Sequence, residues 1–151
     1  MAKNTIWAGG VSNVDRPLVE EATCSAAVLP GRFMLRTSGQ FVAVTTNGEG
    51  GALYIADLNT MKQGGVADTW ASGDTVKGFY PRAGELYNAR VAATQNITAL
   101  DTALAVNATG QLRIALTDGT EEIVAYAQEV VNVTAADTLV QVRIANFGRA
   151  S

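Results

Sequence analysis

The 151-residue sequence contains no histidine. That absence removes Ser-His-Asp and Cys-His catalysis and takes away the commonest metal ligand. Cysteine occurs once, at Cys24, which excludes an intrachain disulfide and a Cys-cluster zinc site. With no histidine to activate it, Cys24 reads as a buried or incidental thiol. Charge is scarce as well: 17% of residues are charged, 11 basic against 14 acidic, for a net of -3. An acidic balance argues against a general binder of nucleic acid or anionic membranes, whose affinity comes from clustered Lys and Arg. No apolar run approaches the roughly 18 residues of a transmembrane helix. The N-terminal apolar stretch Ile6-Trp7-Ala8 is too short for a signal-peptide core. The acids are scattered, without an Asp-x-Asp calcium loop. Gly48, Gly50 and Gly51 lack dinucleotide or P-loop spacing. The sequence therefore leads us to expect no enzymatic activity, no cofactor and no metal.

What is abundant points to β structure. Hydrophobic residues make up 48% of the chain, with 25 Ala, 16 Val, 16 Thr and 15 Gly. β-Branched side chains suit a pleated sheet and lose rotamer freedom in a helix. From Ala26 onward, short apolar segments alternate with turn signals. Strands are expected near 33–35, 41–45, 52–56, 76–80, 86–92, 111–117, 123–127 and 139–145. In the last, Val140, Val142 and Ile144 alternate with Gln141 and Arg143, the period of a half-buried strand. Turns are expected at Ser38-Gly39, Asn47 to Gly51, Thr109-Gly110 and Asp118-Gly119. Two segments carry a helical signal: 57–63, one or two turns long before Gly64-Gly65, and 121–131, where Val, Ile and Tyr favour a strand instead. Many short strands with frequent turns indicate an all-β barrel or sandwich.

Residues 1–25 show neither period and read as an extended N-terminal arm, ordered only by docking. Trp7 is then either an anchor on a partner or a side chain packed back on its own body. The remainder contains a repeat. SGQFVAVTTNGEGGALYIADL (38–58) aligns with TGQLRIALTDGTEEIVAYAQE (109–129) at an offset of 71, and ELYNARVA (85–92) aligns with TLVQVRIA (138–145) at an offset of 53. Two related β units follow, too small to bury their faces separately. The first spans 26–96 and carries an 18-residue insertion near 59–84; the second spans 97–151 and includes the C-terminal tail. The insertion holds Trp70, Phe79 and Tyr80, aromatic residues of the kind that anchor subunit contacts, or else covers one end of the barrel. Of the basic residues 8 are Arg, the usual interface cation. The candidate interface residues are Trp7, Arg16, Trp70, Phe79, Tyr80 and Arg82. Asp74, Arg82 and Arg90 are cleft candidates without further support.

In order along the chain, MAKNTIWAGGVSNVDRP, LPGRFMLRTSGQFVAV, LYNARVAATQNITALDTALAVNATGQLRIA, EEIVAYAQE and VQVRIANF resemble capsid decoration (cement) proteins of tailed bacteriophages, of the lambda head decoration type. Leu104 to Ala115 and Ile123 to Glu129 occupy the positions of two stretches characteristic of that family. The resemblance implies a small β-tulip-like barrel that binds the outside of the mature capsid at capsomer junctions. It implies the major capsid protein as partner, self-association as a homotrimer or homodimer, and a protein made in the host cytoplasm that takes its place on the outer capsid surface of the virion. Two other classes compete: a tail, baseplate or glycan-binding viral module, and a trimeric all-β enzyme with its site between subunits.

Overall fold

The computed structural model describes residues 3–12, 16–46, 52–116 and 121–145. Its strands, in chain order, are β1 (Trp7–Gly9), β2 (Leu18–Thr23), β3 (Phe33–Thr37), β4 (Gln40–Ala43), β5 (Leu53–Ala56), β6 (Thr75–Tyr80) and β7 (Leu86–Val91). There follow β8 (Gln95–Ile97), β9 (Ala103–Val106), β10 (Leu112–Ile114), β11 (Ala125–Ala127), β12 (Val131–Val133) and β13 (Thr138–Ile144). The all-β class expected from composition is what the chain forms. Among the described residues the helical signal at 57–63 yields a single 3-10 turn, Thr60–Lys62. The expected turns at Asn47 to Gly51 and Asp118-Gly119 lie outside the described residues, as does the tail 146–151.

The strands assemble into two barrels of the same plan. In one, β7, β13, β11, β9 and β10 pair in that order, and a parallel contact between Leu112 and Val91 joins β10 back to β7. In the other, β2, β6, β5, β3 and β4 pair in that order, and a parallel bridge between Cys24 and Phe41 brings the last strand back beside the first. All other pairings around both rings are antiparallel. The registers superimpose residue for residue. Phe41 stands where Leu112 stands, Ala56 where Ala127 does, Ala22 where Ala89 does, and Val76 where Val140 does. Even the small sheet β8–β12, with Ile97 opposite Val131, has its counterpart in the isolated bridge between Val28 and Trp70.

Alternation along the strands divides the core. Met34, Phe41, Tyr54, Ala56 and Val76 point one way and form a smaller cluster with Ala22, Cys24, Val28 and Trp70. Phe33, Leu53, Ile55 and Phe79 point the other way and join the larger cluster of the second barrel, around Tyr87, Leu104, Leu112 and Val142. One sheet is thus buried on both faces, which explains why all four residues of β5 are buried. Volumes compensate between the copies. Gly78 stands where Val142 stands, and the Phe41 ring occupies the space, so a Cβ on Gly78 would lie 2.8 Å from Phe41 Cζ. Cys24 is buried and donates its thiol to the Ala71 carbonyl at 3.0 Å. Burial raises its pKa, against smaller effects of backbone hydrogen bonds.

These registers correct three expectations. Residues 1–25 do not extend as an arm over their described part: β1 pairs with β7, and β2 pairs with β6 along its whole length. The boundary between units moves from 96/97 to the segment between β6 and β7, because β7 opens the second barrel as β2 opens the first. The similarity between 85–92 and 138–145 is not a repeat equivalence. Those segments are β7 and β13, direct antiparallel neighbours with the same burial needs, whereas β13 matches β6. The insertion shrinks accordingly. It is the excess of the connection Asp57 to Thr69 over its counterpart Gln128 to Val130.

Candidate interaction surface

The connection from β5 to β6 builds a groove on the surface. Asn59 caps the 3-10 turn, its side-chain oxygen accepting from Lys62 N–H at 3.2 Å, and Gln63 ends it in the left-handed conformation. Trp70 folds back beneath this turn, 6% exposed, and its Nε1–H donates to the Asp57 carbonyl at 2.7 Å. The result is a groove of 580 Å³ between the loop and the β2–β6 face, with Leu58 and Trp70 in its wall and Met61, 95% exposed, at its rim. Of the charged residues that line it, Lys62 pairs with Asp74 at 3.5 Å and Lys77 reaches Asp57 at 3.6 Å, while Glu21 makes no ion pair among the described residues. Burial raises the Asp57 carboxyl pKa, and Lys77 only partly offsets it.

The six candidate interface residues separate into three places. Trp7 and Phe79 meet at Tyr87, with ring centroids 5.3 Å from Trp7 to Tyr87 and 5.5 Å from Phe79 to Tyr87. Phe79 is core and Trp7 half-buried, so Trp7 packs on its own body. Trp70 is core beneath the groove. Arg16, Tyr80 and Arg82 come together on the surface beside the connection between the barrels. Arg82 donates to the Arg16 carbonyl at 2.6 Å, and Tyr80, 42% exposed, lies opposite exposed Leu18. Tyr80 packs edge-on against Tyr54, whose hydroxyl donates to Glu20 at 3.0 Å, while Arg36 pairs with the same carboxylate. Asp74, Arg82 and Arg90 do not converge. Arg82 binds Glu85, Asp74 binds Lys62 and the Ala71 amide, and Arg90 binds Asp137.

Two polar clusters escaped the sequence reading. Asp137 accepts from Gln111 at 2.8 Å, from Arg90 at 3.0 Å and from Arg32 at 3.0 Å, which ties the start of β3 to β7, β10 and β13. Arg90 also donates to the carbonyls of Pro30 and Val66. Burial pushes the Asp137 carboxyl pKa up, but the hydrogen bonds from Gln111 and Arg32 and the two guanidinium charges prevail and hold it below the ordinary value. Glu85, with no exposed surface, accepts from the Arg82 amide at 2.7 Å, from its guanidinium at 2.7 Å and from Tyr87 OH at 3.2 Å. The partners of Asp137 lie on three separate segments, so no local pattern announces that cluster; the Glu85 cluster is local, with Arg82 three residues before it and Tyr87 two after. Among the described residues no three His, Cys, Asp or Glu side chains gather as a metal site, and every buried side-chain N or O has a hydrogen-bond partner. The arrangement offers a groove with Leu58 and Trp70 in its wall and, apart from it, an aromatic-basic strip of Arg16, Tyr80 and Arg82.

No family model matches the chain. No curated protein matches it either. Among solved structures, the chain is similar in fold to the head fiber gp8.5 N base of bacteriophage phi29, with a TM-score of 0.52 and 16% identity, over 90% of this chain and 100% of that one.

Proposed function

We propose that this chain is a structural virion protein that binds the exterior of the mature capsid at capsomer junctions and stabilises the shell. The observation that carries this reading is the two-barrel body, which aligns with the entire base of a phage head fiber. Every buried side-chain polar atom among the described residues is satisfied, as suits a body that serves as structure. A protein that binds the mature lattice and not its precursor stabilises that lattice by mass action. Self-association, with a trimer preferred, would let one particle clamp several shell subunits and turn weak contacts into avidity. The strip of Arg16, Leu18, Tyr80 and Arg82 has the aromatic and arginine character enriched at interfaces.

The test compares virions with and without the protein under heat and osmotic shock, together with binding of the purified protein to mature and immature shells. Preferential binding to mature shells and longer survival of decorated particles are expected. Equal survival, or labelled protein found at the tail, would overturn the proposal.

A further inference from the structure

The two barrels match strand for strand but differ in what lies beside their first strands. On β7, three amides that point away from β13 are all occupied. Asn88 N–H donates to the Ile6 carbonyl at 2.7 Å, Arg90 N–H to Gly31 at 2.9 Å and Ala92 N–H to Leu112 at 2.8 Å. The registers put Glu21, Thr23 and Ser25 at these positions on β2. Ser25 N–H donates to the Phe41 carbonyl at 2.9 Å, as Ala92 does to Leu112. Asp57 N–H donates to the Lys77 carbonyl, so the polar backbone groups of Lys77 face β5. Its cross-strand neighbour Glu21 is then the other half of a non-hydrogen-bonded pair, with its own amide turned outward, and Thr23 follows two residues on. Among the described residues no strand lies along this edge. The place corresponds to the one that the chain fills with β1 on the second barrel.

The side chains along the edge indicate what fits there. Glu21 is exposed and makes no ion pair among the described residues; Lys77, across from it, lies 3.6 Å from Asp57. Val19, two residues away on the same face, is 39% exposed. We propose that the outer edge of β2, from Val19 to Thr23, takes an extended antiparallel strand from a partner polypeptide, with a basic side chain opposite Glu21 and an apolar one two residues along, opposite Val19. An unpaired edge supplies main-chain hydrogen bonds, and the alternating side chains supply selectivity. The chain's own N-terminal segment does not carry this pattern, because Thr5 stands two residues beyond Lys3. The partner's identity as a shell subunit rests on the capsid reading; the strand chemistry does not.

The full-length protein is titrated with a synthetic peptide bearing Lys-Thr-Val at its centre and with its Glu-Thr-Val counterpart, followed by backbone amide chemical shifts. The lysine peptide should move the Glu21 and Thr23 amides and bind at least tenfold more tightly. Glu21→Lys should reverse the preference. Glu21→Pro, which deletes an outward donor without breaking the β2–β6 ladder, should abolish binding. Equal affinity of the two peptides, or shifts away from β2, overturns the inference. Tighter binding of a peptide spanning residues 3–11 would make the edge a self-association site and overturn the stated partner chemistry. Mature shells then separate the two proposals. If the wild type ignores shells while the peptides behave as described, the capsid reading fails and the strand site stands. If shells bind wild type and both variants equally, the strand site fails and the capsid reading stands.

Discussion

Replacing Asp137 with Ala removes the one acceptor shared by Gln111, Arg32 and Arg90. The consequence is unequal for the three. Gln111 and Arg32 can turn to water, the Arg32 side chain being 27% exposed, but the Arg90 side chain is 9% exposed and keeps only the Pro30 and Val66 carbonyls. Breaking a buried pair at one end costs about 3–5 kcal/mol, and the two remaining carbonyls put this case near the lower end. A loss of about 3 kcal/mol at this chain length lowers Tm by roughly 6–12 °C. Asp137→Asn, which keeps an acceptor oxygen but no charge, should fall between the two. The pH dependence follows from the lowered pKa of Asp137 in the fold. Its contribution is complete above the unfolded value of about 3.9 and disappears as pH falls through the lower folded value. The gap between wild type and Asp137→Ala should therefore be full at pH 7 and narrow only below about pH 4. Urea unfolding followed by tryptophan fluorescence measures it, with Trp7 in the larger core and Trp70 in the smaller one. A variant within about 0.5 kcal/mol of wild type at pH 7, the ordinary range for a surface change, would refute the reasoning.

Other substitutions test the packing more locally. Gly39 and Gly110 occupy matched turns with φ of +79° and +80°, but a Cβ at Gly39 meets nothing within 4 Å, while one at Gly110 would lie 2.3 Å from the Phe33 carbonyl oxygen. Gly39→Ala should cost about 1 kcal/mol for backbone conformation alone, and Gly110→Ala clearly more; equal midpoints in parallel denaturant melts would disprove the close approach. Trp70→Phe should lose about 1–3 kcal/mol by leaving the Asp57 carbonyl without its indole donor. Calorimetry on the purified variant checks it, and an unchanged Tm would show that the bond contributes nothing.

The strand grammar was legible where alternation and turns coincide. Val140, Val142 and Ile144 alternate with Gln141 and Arg143, and they form β13 with that burial. The offset of 71 was legible because Gly39-Gln40 and Gly110-Gln111 share a turn that needs positive φ. The other matched strands share almost no residues. β2 and β7 agree only at Ala22 and Ala89, and β6 and β13 only at Val76 and Val140. A barrel interior demands parity and volume rather than identity, so Gly78 with Phe41 replaces Val142 with Leu112. The likeness between β7 and β13 misled for a related reason, since paired strands lining one core converge on the same pattern. β1 and β2 were missed because β2 is exposed at Leu18, Val19, Glu21 and Thr23 and shows no clean period. Of the surface strip, Arg16, Tyr80 and Arg82 were named from residue type; Leu18 and the outward amides of β2 follow only from the register.

The order in which strands join each ring bears on how the molecule is made. In both barrels the last strand synthesised, β6 or β13, is inserted between the first strand and the fourth-formed one, and it contributes the longest ladder in its ring. Neither barrel can therefore close from its leading end as the chain leaves the ribosome. The first is completed only when residues 75–80 have emerged, and by then the second has not begun. The first ring has all its strands before the second has its own, yet the face of its sheet that carries Phe33, Leu53, Ile55 and Phe79 is covered only when the second barrel is in place.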